Sequence, residues 1–367
     1  MKKKLKLIFH TIDNWLNIVR LSRMKYSKKS YNNKLSVVGD VSLDQDTRRR
    51  ISLYWKEIKT NSNFIALYNK INNADPFDVR FVSDDLYYCY IDSYYNNAKT
   101  AKWLDDKNLY DLLFKDVRQP YVIARKINGY LLNTNYETTN TDSVVNRCRS
   151  FGEVIVKKSI ESEGGHGVQI IDAVDRTDDL YREIQNNDDI VIQEVVKQHP
   201  VMAALHQSSI NTVRIISLIH KGEILILSTI VRMGRGGSRI DNASSGGVFC
   251  GVDESGKLRK YAYDVDGNKW DRHPSGGVFE GRFIPGIEKC KVIIERNAMK
   301  IARFCKMPSW DFAIDEEGEP VLIEVNMSYG QLDFHQMTNG PLFKDYTPEI
   351  MNEVFSNRKK RLLRKLF

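Results

Sequence analysis

Asp311, Glu324 and Asn326 are oxygen-bearing side chains at a spacing that can hold a hard cation. They lie in WDFAIDEEGEPVLIEVN, residues 310–326, where two apolar runs flank a polar turn at Glu317-Gly318. That pattern predicts a β-hairpin. With the turn centred there, Asp311 stands directly opposite Glu324, and strand alternation places Glu324 and Asn326 on one face. Directly opposed like charges destabilise a strand pair unless a cation joins them. Three oxygen ligands suit Mg²⁺, which keeps several waters and binds substrate phosphates. The plain alternative is an acidic face splayed into water.

Three cations have the complementary character. Lys157, Arg214 and Arg232 each sit inside an apolar strand run. A charge so placed needs an anion nearby, either a ligand phosphate or a structural ion-pair partner. Lys157 is followed by Gly164, Gly165 and Gly167, which let backbone approach a ligand and supply positive φ. Their N–H groups can form an anion nest, or the stretch is an ordinary hairpin turn. It is not a Walker A loop, because no GKS/T follows and a strand comes next. His166, His199, His206 and His273 offer no general base beyond proximity, and they are left out of the site.

The elements that must position these residues follow from periodicity. Helices are expected over Asp44–Ile58, Asn63–Ile71, Asp84–Tyr95, Ser143–Arg149, Thr177–Asn187 (Thr as cap) and Gly286–Lys306. Residues 102–123 read as a helix and then a strand after Pro120, and Tyr130–Asn140 reads as a loop. Strands are expected around the glycine loop and over Ile190–Gln193, Asn211–His220, Glu223–Arg232 and Gly247–Val252. The tyrosines of Tyr87–Tyr95 read as packing, since no basic residues interleave them.

Composition bounds the rest. The chain has 367 residues, 42% hydrophobic and 28% charged, which suits a soluble globular protein of two or three lobes. Five cysteines, without CxxC or zinc spacing, read as reduced and cytosolic. Residues 1–35 carry +9 and residues 356–367 carry +6, which leaves −7 of the total +8 for the body. Nucleic-acid enzymes carry their basic stripe on the folded domain, so nucleic acid is not an expected partner. Basic tails fit an anionic membrane surface. Leu5, Ile8, Phe9, Ile12, Trp15, Leu16 and Val19 recur at helical spacing, either against the membrane or against the protein's own domain. No apolar window is long enough to span a bilayer, and no signal-peptide pattern is present.

Taken in order, the pieces resemble the ATP-grasp superfamily. The segments HP-x5-HQSSINTVRIISL, VRMGRGGSRIDNASSGGVF, WDFAI and VLIEVN resemble its sugar-transfer-associated branch, found beside polysaccharide biosynthesis enzymes. The resemblance covers about residues 100–340. It implies an α/β (α+β) ATP-grasp fold of two lobes clamping ATP, preceded by a mostly helical N-terminal region. The expected divisions are a basic segment 1–35, a helical region 36–100, an ATP-grasp domain 101–345 with lobes 101–200 and 201–345, and a basic tail 346–367.

By the same resemblance, Lys107 and Lys157 contact ATP phosphates, and Gly164, Gly165 and Gly167 form the loop over the triphosphate. Gln193, Glu194 and Val196 form the hinge whose backbone reads adenine. Asp311, Glu324 and Asn326 hold Mg²⁺, with Mn²⁺ as the alternative ion. Arg214 and Arg232 lie near the γ-phosphate, and Asn242 with Gly246-Gly247 is similar to the R…N…GG loop of the amino-acid-ligase branch. Two positions depart from the pattern: Lys158 replaces a usual proline, and Arg239 stands three residues before Asn242. The implied activity is a carboxylate–amine, or carboxylate–nucleophile, ligase working through an acyl phosphate on a sugar acid or amino-acid precursor of surface polysaccharide. A kinase or phosphotransferase, and a non-catalytic adaptor at the membrane surface, remain the alternatives. The expected partners are small-molecule carboxylates and amines, with peripheral contact to the inner face of the plasma membrane through the basic tails. The oligomeric state is left open.

Overall fold

The computed structural model describes residues 2–56, 58–97, 101, 104, 106–160, 167–238 and 246–356, with side chains from Arg20 onward. The chain is mixed α+β, with two antiparallel sheets and a helical N-terminal region. Packing divides it into two units, one of 1–95, 265–268 and 331–367, and the other of 96–264 and 269–330. The expected boundaries at 100 and 345 thus compare with divisions at 95/96 and 330/331.

The first unit is helical. Its longest helix, Lys2–Val38, runs past the expected boundary at 35. Gln45–Trp55 and Ser62–Asn72 follow, the first capped by Asp44 accepting from Thr47 N at 2.6 Å and the second by Asn61 accepting from Asn63 N at 3.1 Å. Asp84–Leu86, Tyr87–Ile91 and Asp92–Tyr95 form one helical run with a π segment in the middle. Leu332–Asn339 and Thr347–Ser356 complete the unit. Phe64, Leu67, Phe81, Leu86, Ile91, Phe334 and Ile350 are buried in it, as are Tyr87, Tyr88 and Tyr95, so these tyrosines do pack. The long helix buries polar side chains here: Arg23 donates to Tyr88 O and Lys34 Nζ meets Asp333 Oδ2 at 2.9 Å. Leu21 and Met24, by contrast, are 57% and 50% exposed. The apolar stripe of residues 5–19 and the tail 357–367 lie outside the described side chains.

The second unit holds both sheets. The strands are β1 (Val122–Ile127), β2 (Tyr130–Asn133), β3 (Glu153–Lys158), β4 (Val168–Asp172), β5 (Ile190–Glu194), β6 (Thr212–His220), β7 (Glu223–Met233), β8 (Val248–Val252), β9 (Leu258–Tyr263), β10 (Lys269–Trp270), β11 (Ser309–Ile314) and β12 (Pro320–Asn326). The five-stranded sheet has the order β2-β1-β5-β3-β4, and the seven-stranded sheet β10-β9-β8-β7-β6-β11-β12. Helices Thr141–Arg149 and Thr177–Asn186 cover the first sheet through Val144, Val145, Cys148, Leu180 and Ile184. Helix Ile287–Asn297 covers the second through Ile287, Cys290 and Ile294. All five cysteines are free and buried.

Several expectations are corrected. Part of the anticipated loop at Tyr130–Asn140 is β2, and residues 258–263 and 269–270, unassigned by pattern, form β9 and β10. Residues 107–113 form a short 3₁₀ turn and a single helical turn instead of one long helix. The helix from Ile287 ends at Asn297 and passes into a 3₁₀ turn, Ala298–Ile301. Thr177 is not a cap: its hydroxyl donates back to Ala173 O at 2.9 Å, and the cap position is Arg176.

Candidate active site

The hairpin at the end of the large sheet places Asp311 opposite Glu324 as its pattern predicts, but by another route. The turn is five residues long, Asp315–Glu319, and pairs Ile314 with Pro320. Asp315 organises it by accepting from Glu317 N at 3.0 Å and Glu319 N at 2.8 Å, while Gly318 takes φ 80°. This offsets the register by one residue. A bulge between the Asp311 and Phe312 pairs restores it, so Asp311 faces Glu324 and Ser309 faces Asn326.

Asp311 is 3% exposed and is held by arginines from β6 and β7. Arg214 stands directly opposite it across β6 and donates through Nε at 2.7 Å and Nη2 at 2.6 Å. Arg232 on β7 donates through Nη1 at 3.1 Å, and Asn326 Nδ2 donates at 3.2 Å. Burial alone would raise the Asp311 pKa; Arg214 most of all, with Arg232 and the Asn326 amide, outweighs it and holds the carboxyl below its usual range. Arg214 and Arg232 therefore find the anion that their apolar strands demand within the protein itself.

Glu324 pairs instead with Lys107 Nζ, at 2.9 Å, and stays 31% exposed. Lys107 follows the cap Asp106 and its own N–H bonds Ser159 O at 3.0 Å, which ties it to the end of β3. Lys157, the fifth residue of β3, is only 6% exposed. Among the described residues its ammonium makes no hydrogen bond and no ion pair. Burial lowers its pKa to about 8, Lys107 pushes in the same direction, and Glu324 opposes them. Among the described residues the site thus sets four cations, Lys107, Lys157, Arg214 and Arg232, against two carboxylates. The surplus is positive and much of it is buried, which favours an anionic ligand.

The remaining sequence candidates divide. Gln193 on β5 is 5% exposed, donates to Pro120 O at a long 3.4 Å, and leaves Oε1 buried without a partner among the described residues. Glu194 accepts from Tyr121 N at 3.0 Å, so its carboxylate braces the entry to β1. Val196 is half-buried just beyond β5. Gly167 has φ 78°, and a Cβ there would come within 3.2 Å of Lys158 Cγ, so the loop's return needs glycine. Gly164, Gly165, His166, Arg239 and Asn242 lie outside the described residues. One positioning residue gave no sequence signal. Tyr110 Oη lies 3.2 Å from Val325 N and 3.3 Å from Val325 O, clamping β12 between Glu324 and Asn326.

A divalent ion fits this donor set. Asp311, Glu324 and Asn326 present hard oxygens on adjacent strands, and Glu324 is open enough to accept a ligand. No cluster of three His, Cys, Asp or Glu side chains that could hold a metal occurs among the described residues. A cation here would therefore complete its shell with water or phosphate oxygens, as Mg²⁺ does.

No curated protein matches the chain. Among solved structures, it is similar to D-alanyl-alanine synthetase A from Vibrio cholerae O1 biovar eltor, at 15% identity and TM-score 0.40, covering 72% of this chain and 66% of that one. The D-alanine-D-alanine ligase from Coxiella burnetii gives 10% identity, TM-score 0.43 and coverage of 74% and 64%. VanG D-Ala:D-Ser ligase from Enterococcus faecalis gives 13%, 0.40, and 67% and 60%. The chain spans less than two thirds of each of these proteins. Residues 89–351, well over half of the chain, match the family described as sugar-transfer associated ATP-grasp, and the chain belongs to that family.

Proposed function

We propose that this protein is an ADP-forming ligase that joins a carboxylate to an amine or another nucleophile, on a sugar acid or amino-acid precursor of a surface polysaccharide. The observation that carries the reading is Lys157: a buried ammonium beside a second lysine, with no ion pair among the described residues, is charge that a phosphate would satisfy.

The chain's own residues then divide the work. Lys157 and Lys107 bind phosphate oxygens in the ground state, and Lys107 gives up Glu324 as it does so. Glu324, Asp311 and Asn326 would hold Mg²⁺, which when bound neutralises phosphate oxygens. A substrate carboxylate oxygen attacks the γ-phosphorus, the bond to the ADP oxygen breaks, and an acyl phosphate results. The nucleophile attacks its carbonyl carbon, and inorganic phosphate leaves with the bonding pair. Arg214 and Arg232 keep Asp311 ionised and aimed. Arg232, one strand further from Asp311 than Arg214, adds positive charge on the side where charge develops during transfer. Positioning and charge neutralisation are most of what phosphoryl transfer requires.

ADP release, screened over uronic acids and amino acids with an amine co-substrate, tests the proposal. Release that needs both a carboxylate and a nucleophile supports ligation. Release with a hydroxyl acceptor and a stable phosphorylated product would mark a kinase, and no release under any pairing would favour an adaptor.

A further inference from the structure

Two of the buried histidines in the large-sheet unit that take no part in the chemistry above lie together: His206 is 2% exposed and His273 is 0% exposed. Their rings lie 5.0 Å apart. Each faces a backbone carbonyl of one short segment, Gly234–Ser238, which leaves β7 two residues after Arg232. His273 Nε2 is 2.7 Å from Gly234 O, and His206 Nε2 is 3.3 Å from Ser238 O. A carbonyl only accepts, so both Nε2 atoms carry hydrogen. Ser275 holds the opposite ring edges. Its N–H donates to His273 Nδ1 at 3.1 Å, and its hydroxyl lies 3.4 Å from His206 Nδ1.

The tautomer of His273 is therefore fixed. An acceptor Nδ1 and a donor Nε2 describe a neutral imidazole, and a backbone N–H cannot turn round as a hydroxyl can. The turn carrying Ser275 is closed by backbone hydrogen bonds and packed against a second segment. His273 N donates to Gly277 O at 2.7 Å, and a Cβ on Gly277 would fall 2.7 Å from Ala204 O, so only glycine lets the two histidine-bearing segments meet. Ser209 completes the bracing by accepting from Gly234 N at 3.2 Å.

We propose that His273 and His206 are positioning residues that clamp the two ends of Gly234–Ser238, and with them the exit of β7 just beyond Arg232, only while His273 is neutral. That the clamp serves catalysis rests on the ligase reading; the clamp itself does not. Protonating His273 would set Nδ1–H against Ser275 N–H and place a charge beside His206 and Arg235. Burial is the first cause lowering the His273 pKa; the Gly234 carbonyl opposes it, and His206 and Arg235 lower it further. Asp271 and Arg272, its chain neighbours, are exposed, and Phe279 lies edge-on at 6.4 Å.

The test is amide exchange at Gly234 and Ser238 in the full chain, corrected for intrinsic rates, between pH 8 and pH 5, with imidazole nitrogen spectra on the same samples. In the parent, His273 should show the Nε2–H tautomer at pH 8. Protection should then fall about tenfold per pH unit once the pH passes below the His273 pKa. His273→Gln keeps a donor for Gly234 O but does not titrate, so protection should persist and lose its pH dependence. His273→Ala should lose protection at both ends of the range. Should the alanine variant fail to fold, the glutamine variant still decides. The same acid loss in His273→Gln as in the parent, or an Nδ1–H tautomer at pH 8, would overturn the proposal. Mg-ATP titration of the same samples reports on the ligase reading alone: a parent that shows the clamp but binds no nucleotide removes that reading and leaves the clamp standing.

Discussion

Replacing Lys157 by methionine should make the protein more stable and abolish its nucleotide binding. The folded pKa of about 8 lies below the ordinary lysine value of 10.5. Below pH 8 the ammonium is charged in both the folded and the unfolded chain, and the folded state bears the whole desolvation penalty. As pH rises from 8 to 10.5 the folded side chain releases its proton first, and the penalty is relieved. At about 1.4 kcal/mol per pH unit, the shift amounts to roughly 3 kcal/mol at neutral pH, an upper bound. Lys157→Met should recover much of it at pH 7 and little of it near pH 10.5, measured by urea unfolding of the ligand-free protein. Binding has the opposite sign. Only the charged form meets a phosphate, so apparent ATP affinity should fall about tenfold between pH 7 and pH 9, with uptake of about half a proton at pH 8. Calorimetry in buffers of different ionisation enthalpy measures that uptake. A methionine variant no more stable than the parent, or an ATP affinity flat from pH 7 to 9, would refute the argument.

Arg232→Ala should keep the fold, because Arg214 retains both its bonds to Asp311, and should lower turnover by about 10²–10³-fold with little change in ATP affinity. Steady-state ADP release together with nucleotide titration separates the two effects. In the helical unit, the Asp84 carboxyl is pushed up to about 7, first by burial and then by Asp333, with Lys34 and Tyr68 opposing. The folded chain then holds a proton that the unfolded chain has lost, so stability should fall as pH rises from the usual carboxylate range to 7, and Asp84→Asn should flatten that slope in urea melts at pH 5 and pH 8. Deleting residues 2–19 should reduce co-sedimentation with anionic vesicles, and added salt should do the same. The deletion stops there because Arg23, Ser27 and Lys34 are buried, and equal pelleting with neutral vesicles would contradict the prediction.

The strand pattern that set Asp311 against Glu324 was legible because both halves of the hairpin are long and apolar. The five-residue turn and its compensating bulge were not, since Asp315 acts through side-chain-to-backbone bonds that no periodicity reports. Arg214 and Arg232 were recognisable as cations in need of an anion. That their partner is Asp311, 97 and 79 residues away, required the strand order. Strand β2, YLLN, is only four residues long and runs straight into an Asn/Thr-rich stretch, and β9, LRKYAY, carries charges at its exposed positions, so neither alternates cleanly. Tyr110 works through its hydroxyl on an edge strand 215 residues away. The first helix misleads for another reason: beyond Arg20 the face that packs is polar, satisfied by Asp92 and Asp333, while leucine and methionine face outward.

We propose that Mg-ATP binds where Lys107, Lys157, Asp311, Glu324 and Asn326 converge. Titrating ATP into the parent and into Glu324→Gln, each with and without Mg²⁺, tests it most directly, because the substitution keeps the shape of the side chain and removes its charge. The account predicts that Mg²⁺ tightens ATP binding to the parent and that the glutamine variant loses this gain while retaining the metal-free affinity supplied by the lysines. An equal gain from Mg²⁺ in both proteins would contradict it.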